Sequence, residues 1–220
     1  ATKASKLLDI FKVDYIMVVH KKSGVALCKE NVRGIQIDDM LISGFMQAIM
    51  SFLGGLKKSE KKAKEEALVI DYRDYKLMVQ DGEYTRVVVI LNSEPSEFLK
   101  NAVKEFTLEF ESKYQQYLED FKGNTDVFSD YKELVNEIFN FNLLKPYSSS
   151  TSKNFNKLSP IERKVQKFIM EFEKLKNIDY FYLSRLLIAL LEYFDDMSKN
   201  MVVATLLDLI DKGFLNQADQ

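Results

Sequence analysis

The stretch LVIDYRDYKLMVQDGEYTRVVVIL, residues 68–91, decides the fold. It is rich in β-branched and aromatic residues and contains three strand-like runs, at 68–71, 75–80 and 84–91. The link Tyr72-Arg73-Asp74 is too short for anything but antiparallel pairing, and Asp81-Gly82 is a strong signal for a two-residue hairpin turn. The stretch therefore predicts a three-stranded antiparallel meander.

The segment before this meander predicts a hairpin followed by a helix. The apolar run 15–19 suits a strand buried on both faces, and a turn at 22–24 returns the chain into a second strand at 25–28. Asp38 is placed to cap a helix that runs to about Leu53. Residues 5–12 fit either a short lead-in helix or an extended arm.

The helix predicted at 38–53 carries the candidate partner-binding residues. Its broad apolar stripe suits packing on a sheet, but methionines occupy most of the remaining circumference and leave little polar face. Because methionine suits adaptable contacts and small residues allow close approach, we expect this helix to contact a second copy of the chain or its own tail. The candidate residues are Met40, Gly44, Met46, Ala48 and Met50.

Two long amphipathic helices are predicted after the meander. The first begins near Ser93 and keeps helical spacing to Phe121, and the second is capped by Asn124 or Thr125 and ends near Phe139. A polar stretch poor in aliphatic residues follows. We therefore expect a first domain at 1–144 and a linker at 145–157.

The tail, residues 158–220, predicts a small helical domain. Its first helix begins at Ser159-Pro160, its second spans about 180–194, and its third is capped by Ser198 and ends at Lys212-Gly213. Phe214 and Leu215, which follow the last helix, fit a short strand. The fold class predicted for the whole chain is thus α/β, in the α+β sense: a five-stranded antiparallel sheet sandwiched by helices, followed by an all-α module.

Composition excludes several classes of protein. The chain of 220 residues has a net charge of -2, so it offers no overall field to attract nucleic acid or an anionic membrane. The charged run 57–66 is typical of a solvated segment, although it allows peripheral contact with a membrane. One cysteine cannot close an internal disulfide, and one cysteine with one histidine leaves no Cys/His cluster for a structural zinc. With no signal peptide or membrane span in the sequence, we expect a cytoplasmic protein.

Catalytic motifs are absent from the sequence. It has neither the phosphate loop G-x-x-x-x-G-K-[ST] nor G-x-G-x-x-G, and it has no G-x-S-x-G. Cys28 has only His20 as a candidate base, and Asp38-Asp39 and Asp195-Asp196 are better explained as a helix cap and a turn. We therefore predict no enzyme activity, no catalytic or metal-binding residues and no cofactor.

The region from Asp14 to about Leu143 resembles a longin domain, which has a profilin-like fold. The resemblance rests on the order of elements, hairpin, helix, three-strand meander and two helices, and on the segments 15–19, 38–53, 81–82 and 93–121. The weak lead-in helix and the clear second terminal helix favour the longin type over the related roadblock type. The resemblance implies a scaffold in membrane traffic or signalling that binds a small GTPase or another longin- or roadblock-type chain, with a homodimer as the preferred form.

The tail is similar to a winged helix. A DNA-reading version would carry lysine and arginine on its third helix, where this chain has Lys199 and Lys212 against Asp208 and Asp211. We therefore expect protein contact rather than nucleic-acid binding. The alternative is a transcription regulator, in which the first domain senses or dimerises and the tail binds DNA.

Overall fold

The computed structural model describes residues 3–32, 48, 67–150 and 154–218. The chain divides into two compact units. Lys12–Phe139 forms the first, called the sheet unit here, and Ala1–Phe11 together with Asn140–Gln220 forms the second, called the helical unit.

The sheet unit contains the predicted five-stranded antiparallel sheet, which confirms the coarse fold class. Its strands are β1 (Val13–His20), β2 (Ala26–Asn31), β3 (Leu68–Tyr72), β4 (Tyr75–Asp81) and β5 (Thr85–Leu91). The strand order is β2-β1-β5-β4-β3. The hairpin and the meander join because β1 pairs with β5, with Met17 opposite Val88.

Side chains on both faces of the central strands are buried, because β1 and β5 form the middle of the sheet. All eight residues of β1 are buried. One face carries a hydrophobic cluster: Tyr15, Met17, Val19, Leu77, Val79 and Val88. Burial on both faces explains why residues 15–19 of β1 form a continuous apolar run rather than an alternating one.

Helix α2 (Glu97–Glu119) packs on β4 and β5, and helix α3 (Tyr131–Phe139) packs on α2. The predicted start of α2 moves from Ser93 to Ser96, whose hydroxyl accepts a hydrogen bond from Leu99 N. The predicted second helix is also shorter than expected, because 126–128 forms a separate 3-10 turn before α3. Phe106, Phe110 and Phe128 fill the interior beside these helices and are fully buried.

The helical unit begins with α1 (Lys3–Ile10), so the lead-in segment is a helix rather than an arm. The remaining elements are a 3-10 turn at Phe141–Leu144, β6 (Pro146–Ser149), a 3-10 turn at Phe155–Lys157, α4 (Pro160–Lys176), β7 (Phe181–Tyr182), α5 (Leu183–Tyr193), α6 (Lys199–Asp211) and β8 (Leu215–Gln217). Helices α1, α4 and α5 all pack against α6. The centre of this unit is therefore α6, where Val202, Val203, Leu206 and Leu209 are fully buried.

Two expectations for this part of the chain need correction. The tail module is not all-α, since β6 pairs antiparallel with both β7 and β8 in a three-stranded sheet. The segment predicted as a linker, 145–157, contains β6 itself. Tyr147 is buried, and Glu173 of α4 accepts hydrogen bonds from both the N–H and the hydroxyl of Ser149. A polar strand can be held this way because pairing on both sides satisfies its backbone groups.

Candidate functional site

The candidate partner-binding residues of the predicted helix 38–53 fall mostly outside the described residues. Ala48 is described, and it is helical and exposed. Met40, Gly44, Met46 and Met50 lie outside the described part of the chain. The contact proposed for this helix therefore stays a prediction.

The outer strand β3 presents an exposed edge. Within the described residues, β3 pairs with β4 alone and ends the sheet. Leu68 and Tyr72 on β3 and Tyr75 at the start of β4 are each more than a third exposed. Between them Ile70 packs on the hydrophobic cluster of the sheet and holds the strand in place. An anchored strand with a free edge and apolar side chains is the arrangement that accepts an added strand from a partner.

The β3–β4 turn determines which backbone groups of β3 point outward. Arg73 adopts a left-handed conformation (φ 54°), and its guanidinium carbon lies 5.6 Å from the centre of the Tyr72 ring. Tyr72 and Tyr75 flank a two-residue turn, so they form a hydrogen-bonded pair. Along an antiparallel ladder, hydrogen-bonded pairs alternate with pairs that are not hydrogen-bonded to each other. The N–H groups of Val69 and Asp71 therefore face away from β4. These are the groups that an added strand would bond.

The opposite end of β4 is fixed by a carboxylate of α2. Glu111 Oε1 accepts hydrogen bonds from Tyr84 N (2.8 Å), Thr85 N (2.7 Å) and Thr85 Oγ1 (2.8 Å), while Oε2 accepts from Glu83 N (2.9 Å). A carboxylate with four donors has little capacity left for a substrate. This arrangement acts as a structural clamp between the helix and the turn.

An ion pair supports the same end of the sheet. Arg86 is bonded to Asp81 through Nε at 2.5 Å and through a terminal nitrogen at 2.7 Å, and its side chain is almost fully buried. Lys21 donates to the carbonyl of Gly82 at 2.9 Å and lies 3.8 Å from Asp81. The charges are paired with one another, which is the usual condition for burying them. We interpret this cluster as structural.

The histidine of the chain, His20, is buried and hydrogen-bonded to Ser23. Its Nδ1 lies 2.8 Å from Ser23 Oγ and also accepts a 3.3 Å hydrogen bond from Ser23 N, while its ring packs 4.9 Å from that of Phe121. Ser23 lies only three residues away, in the turn that follows β1. A serine nucleophile also needs its base to be oriented by a third group, usually a carboxylate, and no hydrogen bond of that kind is found among the described residues. The pair closes the β1–β2 turn.

The thiol of Cys28 is unsuited to nucleophilic chemistry. Burial in β2 raises the pKa of Cys28 to about 12, although a backbone hydrogen bond at Val18 acts in the opposite direction. The thiolate is the nucleophilic form, and raising the pKa reduces its population at neutral pH. Cys28 therefore acts as a small core residue.

Helix α6, which would be the DNA-reading helix of a winged helix, carries both basic and acidic groups, and Lys199 at its start is exposed. Its exposed residues include Asp208 and Asp211. Lys212, which follows the helix, is bound through Nζ to Glu162 Oε1 at 2.5 Å. Acidic groups on this helix repel phosphate. Because Lys212 is already paired with Glu162, it is poorly placed to neutralise a DNA phosphate and release its counterions.

Among residues 3–32, 48, 67–150 and 154–218, no group of three or more His, Cys, Asp or Glu side chains is arranged to hold a metal ion. None of the helices described is both long and apolar enough to cross a bilayer. Comparison with models of known protein families and with curated proteins found no match.

Proposed function

We propose that the chain is a non-enzymatic adaptor whose sheet unit is longin-like and binds a small GTPase or another longin- or roadblock-type chain. The observation that carries the proposal is the sheet order β2-β1-β5-β4-β3, followed by two helices. It is the order obtained when a hairpin and a meander close into one antiparallel sheet, as the resemblance in the sequence implies. The role in membrane traffic or signalling follows from that resemblance alone.

The edge of β3 is the binding surface that we assign to this function. Val69 and Asp71 direct backbone N–H groups outward, and Leu68 and Tyr72 offer apolar side chains beside them. The Asp71 carboxylate is already bonded to Lys76, which also contacts Glu94 at 2.6 Å. Recognition at this edge therefore depends on main-chain hydrogen bonds and apolar contact rather than on charge.

The polar clusters support a binding role over catalysis. Glu111, Asp81 and Arg86 are engaged in internal bonds, and the pKa of Cys28 is raised by burial. Such groups hold turns and strands in place.

A binding experiment with purified components tests the proposal. The immobilised chain is exposed to a panel of small GTPases loaded with GDP or with a non-hydrolysable GTP analogue, and to purified longin- and roadblock-type chains. The proposal requires saturable binding to at least one of them, with no GTP hydrolysis by the chain alone. Failure to bind any member of the panel would contradict it.

The alternative of a DNA-binding regulator is favoured by one observation, the element order α4-β7-α5-α6-β8, which is similar to a winged helix. The carboxylates Asp208 and Asp211 on α6 argue against it. Titration with duplex DNA at two salt concentrations separates the two functions. Weak affinity that falls steeply with salt fits the adaptor, whereas nanomolar, sequence-specific binding at physiological salt would favour the regulator.

A further inference from the structure

Aromatic side chains of α4 meet those at the end of α5 within the helical unit. The Phe168 ring lies 4.7 Å from Tyr193, 5.9 Å from Phe194 and 6.0 Å from Phe172, and the Tyr193 and Phe194 rings are 4.8 Å apart. None of these four rings is fully buried. We call this cluster, Phe168, Phe172, Tyr193 and Phe194, the aromatic face.

Exposed apolar side chains extend the aromatic face along α4. Leu175 is 84% exposed and Ile161 is 43% exposed, and Tyr193 of the face itself is 64% exposed. At about 100° per residue, Ile161, Phe168, Phe172 and Leu175 fall within one sector of α4. Exposed apolar surface of this kind on a folded unit marks an interaction site, and tyrosine and phenylalanine are enriched at the centres of interfaces.

The α4 side of the aromatic face is basic. Lys164, Lys167 and Lys174 are exposed on this helix, and Glu171 is the exposed carboxylate among them. No ion pair joins these lysines to any residue in the described part of the chain. They are therefore available to pair with carboxylates of a partner.

The α5 side of the aromatic face is acidic. Glu192 precedes Tyr193, and Asp195 and Asp196 follow Phe194; all three carboxylates are exposed. The aromatic rings therefore separate a basic border on α4 from an acidic border at the end of α5.

We propose that the aromatic face binds the same face of a second copy of this chain. A two-fold rotation about an axis through the rings exchanges the two borders, so the lysines of each copy meet the carboxylates of the other. An apolar centre with complementary charged borders is the usual composition of a specific interface. This dimer surface does not depend on the proposed function of the sheet unit.

An anionic membrane fits the surface less well. Lysines beside exposed leucine and aromatic residues are typical of helices that lie on lipid. However, Asp195 and Asp196 border the same rings and would be repelled by anionic headgroups. A second copy satisfies both borders, whereas a membrane satisfies only one.

Charge reversal tests the pairing between the two borders. One variant carries Lys164→Glu and Lys167→Glu, and the other carries Asp195→Lys and Asp196→Lys. In a dimer of either variant, the two facing borders carry the same charge, and the two-fold axis repeats this repulsion on both sides of the rings. The dimer dissociation constant of each variant should therefore rise at least about tenfold. In a mixture of the two variants every contact becomes attractive again, and the heterodimer should form. A control with Glu105→Lys and Glu109→Lys on the exposed face of α2 should dimerise as the wild type does.

Analytical ultracentrifugation gives the mass, and circular dichroism verifies that each variant is folded. We expect the wild type and the mixture to sediment at twice the 25.6 kDa of one chain, with each reversed variant alone at 25.6 kDa. A monomeric wild type, a mixture that stays monomeric, or reversed variants that dimerise normally would overturn the proposal. Flotation of a monomeric wild type with vesicles of phosphatidylserine and phosphatidylcholine would assign the face to lipid instead.

Discussion

Glu111 and Thr85 are joined twice, because one carboxylate oxygen of Glu111 accepts both the backbone N–H and the hydroxyl of Thr85. Thr85 is fully buried at the start of β5. The same carboxylate holds Glu83 N and Tyr84 N, so α2 fixes the β4–β5 turn through a single side chain. Gly82 belongs to this arrangement, since a Cβ there would lie 2.6 Å from the carboxylate carbon.

Replacing Glu111 with Gln should lower the free energy of unfolding by about 2 kcal/mol, because a neutral amide weakens several charge-assisted bonds and turns one acceptor into a donor. Urea denaturation measures the change. Glu109→Gln, at an exposed position of the same helix, is the matched control and should be neutral.

Gly82→Ala should lower the free energy of unfolding more in the wild type than in a protein that already carries Glu111→Ala. Equal costs in the two backgrounds would show that the clamp is not what excludes a side chain at this position.

Replacing Gln166 with Met should raise the free energy of unfolding by about 1 kcal/mol. Gln166 is fully buried in α4, and within the described residues neither its side-chain Nε2 nor its Oε1 has a hydrogen-bond partner. Removing an unsatisfied buried amide relieves its desolvation cost. Gln115→Met on α2, where the amide is exposed and donates to Glu119, should bring no such gain. A loss of stability at position 166 would mean that the amide has a partner.

The stability of the helical unit should depend on the charge of Glu162 below neutral pH. Burial alone would raise the pKa of Glu162, but hydrogen bonds from Lys212 and from Ser159 N outweigh it and hold the pKa below 4.5. A carboxyl whose pKa is lowered by folding adds stability above its unfolded pKa and loses it as the pH falls through the folded value.

Glu162→Gln keeps the capping pattern at the start of α4 but removes this charge. We expect it to cost about 1 kcal/mol at pH 7. The difference from the wild type should shrink toward zero at pH values below the folded pKa. Chemical denaturation at a series of pH values measures it, and a difference that stays constant with pH would contradict the role of the charge.

Cys28 should resist alkylation in the folded protein. Burial raises the pKa of its thiol to about 12, so very little thiolate is present at neutral pH, and burial also blocks access of the reagent. Mass spectrometry after iodoacetamide treatment should therefore find Cys28 unmodified in native buffer and fully modified in concentrated urea. Rapid labelling of the native protein would place the thiol at the surface.

The sheet was predictable from the sequence because its signals are local. The runs 68–71, 75–80 and 84–91 are separated by short turns, and residues 15–19 of β1 form a continuous apolar run. Element type and antiparallel pairing therefore follow from neighbouring residues. The helix N-caps Ser159 and Ser198 were also predictable from the sequence, because a capping side chain bonds to the backbone of the first turn that it precedes.

The elements that the sequence did not reveal depend on distant partners. Strand β6 has a polar sequence, Pro-Tyr-Ser-Ser, and is held by β7, β8 and Glu173, which follow it by 24 residues or more. Helix α1 packs on α6, which is almost 200 residues away in sequence. The hydrophobic periodicity of each helix does not indicate which other helix it contacts. The position of β3 was missed for a related reason: Leu68 and Tyr72 predict a strand, but only the sheet order shows that this strand is the outermost one among the described residues.

The central claim, that the sheet unit binds its partner along the β3 edge, is tested most directly by two substitutions at Val69. Val69→Pro removes an outward N–H without disturbing the bonds to β4, and proline is tolerated at such edge positions. Val69→Thr keeps the N–H and the β-branched shape. Calorimetric titration with the nucleotide-loaded GTPase or longin-type chain that binds the wild type should give a dissociation constant raised at least about tenfold for Val69→Pro and within about twofold of the wild type for Val69→Thr. Equal affinity of the two folded variants would contradict the claim.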